Sequence, residues 1–192
     1  EVLFREGSFS KGAFLLISGK AKIFQQAPNG QRQTLYIFTD GDLIGYRQII
    51  TEEPYPISAV LLENATLGFV PKETFQDLLH SSPVFTRNVL TALAMEFSVW
   101  MNRMTAFAQF PVRRRLVLAL LVLHEQYRRS GSPPGHITIT RTELAEYVGT
   151  SLETVVRALN HLKSLGLVEI KGRSIKLPNT VALDEILQEE ED

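Results

Sequence analysis

The stretch TRTELAEYVGTSLETVVRALNHLKSLG, residues 140–166, decides the fold. Thr140 followed three residues later by Glu143 is a capping box that opens a helix, and Gly149 ends that helix after Leu144-Ala-Glu-Tyr-Val148. Thr150 and Glu153 have the same spacing and read as a second capping box, opening a helix to about Leu165 that Gly166 stops. Two helices joined by a tight glycine-containing turn form a helix-turn-helix unit. Ala145 is small where the second helix must cross the first. Leu144, Val148, Val155, Leu159 and Leu162 are spaced to fill the shared core.

After Gly166, residues 167–170 and 174–177 alternate like strands around Lys171-Gly172-Arg173. This is a hairpin with a basic tip, a wing whose Lys171 and Arg173 would hold DNA phosphates without reading sequence. In such units the N-terminal part of the second helix enters the major groove. Ser151, Leu152, Glu153, Val156, Arg157 and Asn160 are the exposed positions there. Arg141, Thr142, Thr150 and Thr154, near the starts of the two helices, complete the candidate DNA-binding set. Arg pairs bidentately with a guanine edge and Glu accepts from a cytosine amine, so Glu153 and Arg157, four apart on one face, could read neighbouring bases together. The plainer alternative is that Glu153 completes the cap and pairs with Arg157.

Charge distribution favours the DNA reading. Residues 1–110 hold 9 Lys/Arg and 10 Asp/Glu, residues 111–178 hold 11 and 5, and residues 179–192 hold none and 6. A basic block between a neutral block and an acidic tail is the footprint of a nucleic-acid module. The 192 residues are 44% hydrophobic, enough for one large or two modest cores. No apolar run approaches the roughly 18 residues of a membrane span, and the run at 116–123 is flanked by Arg113, Arg114 and Arg115. There is no signal peptide, which with the absence of cysteine fits a cytoplasmic protein. Lacking cysteine, the chain has no thiolate zinc site, no Cys-ligated iron–sulfur cluster and no Cys nucleophile. The sequence starts at Glu1 inside strand-like sequence, so natural N-terminal residues are expected to be missing from the numbering.

Residues 1–80 show short apolar runs broken by turn residues. Residues 13–17, 21–25, 33–38 and 57–62 read as strands, and Asn29-Gly30 between two of them is a hairpin signal. Many short strands about 10 residues apart predict an antiparallel β-barrel or jelly roll of cupin-like form. Residues 72–79 read as a short helix. Ser82-Pro83 then offers an N-cap and a first-turn proline for a long helix to about Phe107. Leu90, Leu93, Phe97, Trp100, Met104 and Phe107 recur at alternating spacings of 3 and 4, a heptad seam that predicts a homodimer interface. The alternative is a helix packed on its own barrel. Phe110-Pro111 ends the helix and marks a boundary. Residues 112–127 read as a further helix with an apolar face of Leu116, Ala119, Leu120 and Leu123, and residues 130–135 as a surface loop. The expected fold class is α+β, divided into a sensor barrel (1–80), a dimerisation helix and hinge (81–110), a winged helix-turn-helix (111–179) and an acidic tail (180–192).

From residue 1 to about 178 the chain resembles the CRP/FNR family of bacterial regulators. The residues that carry the resemblance are Gly19, Gly41-Asp42-Leu43-Ile44-Gly45, the long helix, and Glu153-Thr154-Val155-Val156-Arg157, similar to the family's E-[ST]-[VI]-x-R recognition segment. The resemblance implies a homodimer on a pseudo-palindromic site, with Glu153 and Arg157 reading the G·C pair of a TGA-like half-site. Where cyclic-AMP receptors carry a third base-reading Arg, this chain has Leu152. It also implies RNA polymerase as a partner, contacted through the loop at 128–136. In the sensor, cyclic-nucleotide binders carry Gly-Glu where this chain has Gly45-Tyr46, and Arg-[ST]-Ala where it has Ile57-Ser58-Ala59. Their Arg neutralises the cyclic phosphate, which Ile57 cannot do. Trp100 and Met101 stand about where they offer hydroxyls to the base. No cofactor is required and ordinary cyclic-AMP binding is not expected. Gly45, Tyr46, Ile57, Ser58, Ala59, Trp100 and Met101 remain the candidate pocket for an unknown small effector. Tyr46, Ile57, Trp100 and Met101 would suit a haem-bound nitric-oxide sensor, although His80 is the one histidine near that region.

The sequence bears on two other classes. A cyclic-nucleotide-domain module regulating a protein partner fits the barrel but leaves the helix-turn-helix and wing without a purpose. For an enzyme, the sequence offers no Ser/His/Asp arrangement, no phosphate loop and no metal-ligand cluster. His124, His136 and His161 are isolated, and Glu52-Glu53 sit in a Pro-rich loop.

Overall fold

The computed structural model describes residues 1–129 and 136–188, which divide into two compact units, Glu1–Asn102 and Arg103–Asp192. The loop expected at 130–135 and the end of the acidic tail, 189–192, lie outside the described residues.

In the first unit seven antiparallel strands form two sheets. One has the order β1 (Val2–Phe4), β6 (Ser58–Leu61), β3 (Ala21–Gln26), β4 (Arg32–Phe38); the other is β5 (Leu43–Ile44), β2 (Gly12–Ser18), β7 (Thr66–Pro71). The β3–β4 hairpin turns at Asn29-Gly30, with Gly30 at φ +83°. Leu16 and Ile44 from one sheet meet Phe4, Ile23, Tyr36, Phe38 and Ala59 from the other in a single buried cluster. This is the sandwich of a jelly roll. Strands β5 and β7 escaped the sequence reading, whereas β1 is the strand-like sequence on which the chain opens; β5 has only two residues, and β7 shows little burial alternation.

Short helix α1 (Arg47–Thr51) and α2 (Lys72–Ser81) follow β5 and β7 in the chain. Helix α3 (Pro83–Gln109) is the expected long helix, entered through Ser82, whose Oγ accepts from the Phe85 amide at 3.3 Å. A second cluster joins Ala13, Tyr46, Ile49 and Phe75 to Val89 of α3.

The second unit holds α4 (Val112–Arg129), α5 (Arg141–Val148), α6 (Leu152–Ser164) and α7 (Thr180–Gln188) with a small sheet. Its order is β8 (His136–Thr138), β10 (Ser174–Lys176), β9 (Glu169–Lys171). Leu116, Leu120 and Leu123 of α4 are fully buried, as their spacing predicts. Residues 180–188, read from composition as acidic tail, form α7. Its Leu183 and Ile186 are buried, and the Arg114 guanidinium of α4 donates to the Leu187 carbonyl. The two apolar residues sit three apart on one face, so the acidic count hid an amphipathic helix. Among the described residues no helix is long and apolar enough to cross a membrane.

Candidate functional site

Helix α5 begins with the capping box that its sequence predicts. Thr140 Oγ1 accepts from the Glu143 amide at 3.1 Å, and the Glu143 carboxylate accepts from the Thr140 amide at 3.0 Å. Such a cap contributes about 1 kcal/mol. The helix ends at Gly149 in the left-handed region, φ +73°, where the amides of Gly149 and Thr150 both donate to the Ala145 carbonyl. A side chain at position 149 would strain this turn, which sets the direction of the next helix.

The second capping box is shifted from its expected place. Thr150 is held in the turn by its amide, so the helix starts one residue later. Ser151 is the N-cap, its Oγ accepting from the Thr154 amide at 3.2 Å. Glu153 therefore falls one position too early to close a box. Its carboxylate makes no ion pair with Arg157, whose guanidinium instead donates to Thr154 Oγ1 at 3.4 Å. The plainer reading, in which Glu153 and Arg157 satisfy one another, is not the arrangement found.

Val155, Leu159 and Leu162 of α6 are buried with Leu144, Ala145 and Val148 of α5, as expected. Burying each large aliphatic side chain contributes about 1.5–3 kcal/mol. That packing turns Ser151, Leu152, Glu153, Val156, Arg157 and Asn160 to solvent as one face. Thr142 is also exposed, and Thr150 is half-buried.

The wing is a two-residue turn, Gly172-Arg173, with Lys171 paired to Ser174 across it and Gly172 at φ +58°. Lys171 ends β9 instead of sitting in the tip. Lys171 and Arg173 are exposed. Arg141 also makes a contact within the unit. Its guanidinium donates to the Gly172 carbonyl at 3.0 Å, tying the wing tip to the start of α5. Burial lowers its proton affinity.

The seven candidate effector residues fall into separate environments. Ile57 and Ala59 are buried in the sandwich core, and Ser58 Oγ accepts from the Glu6 amide at 3.0 Å. Gly45, φ +80°, passes so close to Tyr55 that an added Cβ would lie 2.9 Å from its hydroxyl. Tyr46 lies in the other cluster, 1% exposed, and its hydroxyl donates to Glu96 Oε1 of α3 at 3.1 Å. Arg47 Nε is 3.9 Å from the other Glu96 oxygen. Burial raises the Glu96 carboxyl above the usual carboxylate range, and Arg47 draws it partly back. Burial and the adjacent Glu96 also raise the Tyr46 hydroxyl. Trp100 is half-buried and Met101 exposed. A cyclic phosphate does not fit these residues. At position 57 an aliphatic side chain lies in the cluster with Phe4, Tyr55 and Ala59, and the Tyr46 hydroxyl is already bonded to the Glu96 carboxylate. His80, the one histidine expected near the candidate pocket, bonds the Gln76 carbonyl of its own helix through Nδ1 at 2.7 Å. Among the described residues no group of His, Asp and Glu could hold a metal.

The seam on α3 divides. Leu90, Phe97 and Met104, seven apart, are 60%, 63% and 64% exposed. Leu93 and Trp100 are half-buried, and Phe107 is 39% exposed. Sequence reasoning missed Glu96, Arg103 and Arg115, three charged side chains taken into packed surroundings. The available signal was a charge set beside the apolar residues of a helix, as in Glu96-Phe97.

Residues 1–82 match the cyclic nucleotide-binding domain model, and residues 114–186 match the Crp-like helix-turn-helix domain model. The anaerobic regulatory protein of Haemophilus influenzae is 24% identical over 97% of this chain and 73% of its own length. The cyclic AMP receptor protein of Thermus thermophilus is 29% identical over 96% of this chain and 83% of its own. Among solved structures, FixK2 from Bradyrhizobium japonicum superposes with a TM-score of 0.83 at 20% identity, covering 96% of this chain and 91% of that one. A CRP/FNR-family transcriptional regulator from Thermus thermophilus gives 0.78 at 20% identity, covering 98% and 95%.

Proposed function

Because the chain belongs to the CRP/FNR family of transcription regulators, we propose that it works as a homodimer on a pseudo-palindromic DNA site with TGA-like half-sites, read by Glu153 and Arg157. The observation that carries this reading is the exposed N-terminal face of α6. There Glu153 has no capping duty and no ion pair with Arg157, leaving a carboxylate and a guanidinium for base edges. Ser151, Thr154 and Asn160 supply polar contacts beside them, Leu152 and Val156 apolar ones. Lys171 and Arg173 on the wing, with Thr142 and Thr150, hold phosphates. Arg141 acts through the wing it secures.

The exposed row Leu90, Phe97, Met104 on α3 supports pairing of two copies, which would set the spacing of two half-sites. Leu93, Trp100 and Phe107 border that interface. In functional terms residues 1–80 are the sensor, 81–110 the dimerising helix and hinge, and 111–179 the DNA reader, acting in the cytoplasm with RNA polymerase as partner. The sensor does not take cyclic AMP in the usual way, because Ile57 offers no charge to the phosphate and Tyr46 is committed to Glu96. The effector is a different small molecule, or the regulator works without one.

Selection of binding sites from random DNA with the purified chain tests the reading. Recovery of inverted half-sites one helical turn apart, with an invariant G·C pair, is the expected result. Sequences with no common motif would overturn it.

A further inference from the structure

Helix α6 carries two kinds of side chain on the face that leaves the core. Glu153 and Arg157, four residues apart, make a charged row. Leu152 and Val156, also four apart, make an apolar row beside it and are 46% and 36% exposed. Asn160, exposed, continues the apolar row by one turn. Core packing does not call for leucine and valine there, because Val155, Leu159 and Leu162 fill the buried side of the helix. The helix start does not depend on Leu152 either, since Ser151 supplies the cap.

Single exposed aliphatic side chains are ordinary on protein surfaces. These two are set apart by their place, each next in sequence to one of the pair assigned to base reading. A helix seated in a major groove about 12 Å wide brings both rows toward base edges. Leucine and valine neither give nor take a hydrogen bond. Pressed against a polar base edge, they leave a donor or acceptor without water and without a partner, at a cost. The one apolar group that an unmodified base presents in the major groove is the C5-methyl of thymine.

We propose that Leu152 and Val156 read pyrimidine C5-methyl groups, so that thymines border the G·C pair met by Glu153 and Arg157. This specificity rests on the DNA reading above and adds the identity of the neighbouring bases. Apolar contact recognises the methyl group and not the ring that carries it. At these positions 5-methylcytosine therefore serves where cytosine does not. Covering one methyl group is worth about fourfold in affinity.

The test is fluorescence anisotropy of the full chain on a duplex bearing the inverted half-sites that selection recovers. Each thymine is replaced in turn by deoxyuridine, which removes the methyl group and leaves every hydrogen-bonding atom. At the base pairs bordering the G·C pair, the replacement is expected to weaken binding about fourfold. Elsewhere it should change little. Cytosine in place of those thymines should bind less well than 5-methylcytosine. In the Leu152→Ala, Val156→Ala double variant both differences should vanish, while the penalty for replacing the G·C pair persists. Selected sites without bordering thymines would overturn the proposal. So would equal affinity for thymine and uracil, or a thymine preference untouched by the double substitution. If replacing the G·C pair cost the native chain nothing, the underlying base reading would fall, and the proposal with it.

Discussion

Tyr46→Phe removes one hydroxyl and little else. The ring keeps its place in the cluster with Ala13, Ile49, Phe75 and Val89. What is lost is the 3.1 Å bond to Glu96, a carboxylate that is 6% exposed and whose other oxygen has Arg47 Nε only at 3.9 Å. A hydrogen bond to a buried charged group is worth about 1.5–3 kcal/mol, and nothing in the substituted side chain replaces it. Urea unfolding follows this directly, because the single tryptophan, Trp100, lies on the same helix as Glu96. With a slope of about 1.5 kcal/mol per molar urea, the midpoint should fall by roughly 1–2 M. Repeating the substitution in a Glu96→Gln background isolates the pair. There the acceptor is neutral, and the loss should shrink to about 0.5–1.5 kcal/mol. A loss below about 0.5 kcal/mol in the native background, or equal losses in both, would refute the claim that Tyr46 is held by Glu96.

The raised Glu96 carboxyl means that the folded state favours the protonated acid. That stabilisation is complete below the unfolded carboxylate value, near 4.3, and is lost as pH rises through the raised folded value. Glu96→Gln, which does not titrate, should therefore gain stability over the native chain as pH increases, measured by urea unfolding on either side of that window; a constant difference would disprove it. Arg157→Ala should cost about 1–3 kcal/mol of affinity for the selected site while sparing random DNA, by fluorescence anisotropy; equal weakening on both would remove its base-reading role. Phe97→Asp places a charge in the exposed row of α3 and should shift sedimentation toward monomer, and an unchanged dimer would move the interface elsewhere. Thr140→Ala removes the α5 cap and should lower stability by about 0.5–2 kcal/mol in thermal unfolding, with no change expected if the cap were ornamental.

The helix-turn-helix was legible because its determinants are local. Gly149, the Thr140–Glu143 box and the spacing of Leu144, Val148, Val155, Leu159 and Leu162 act within a few turns of chain. The start of α6 was placed one residue early because Thr150 and Ser151 are both competent caps. The turn decides between them through the bond from the Thr150 amide to the Ala145 carbonyl. Strands β5 and β7 were missed for a non-local reason, since both owe their pairing to β2. Helix α7 was hidden by its charge, though Leu183 and Ile186 carried the period. Of the site, the identity of the α6 face was readable, but not the release of Glu153 from capping. The bonds of Tyr46 to Glu96, and of Arg141 to Gly172, join residues 50 and 31 positions apart, and no pattern in the sequence announces them.

The link from Arg141 to the Gly172 carbonyl has a mechanical consequence. It ties the wing tip to the first turn of α5, so the two ends of the proposed DNA-facing surface are held near one separation, like the jaws of a calliper set at one opening. A duplex whose groove width does not match that opening would have to bend or twist to seat both. The cost would fall on the nucleic acid, and stiff and pliant sequences would be told apart at base pairs no side chain touches.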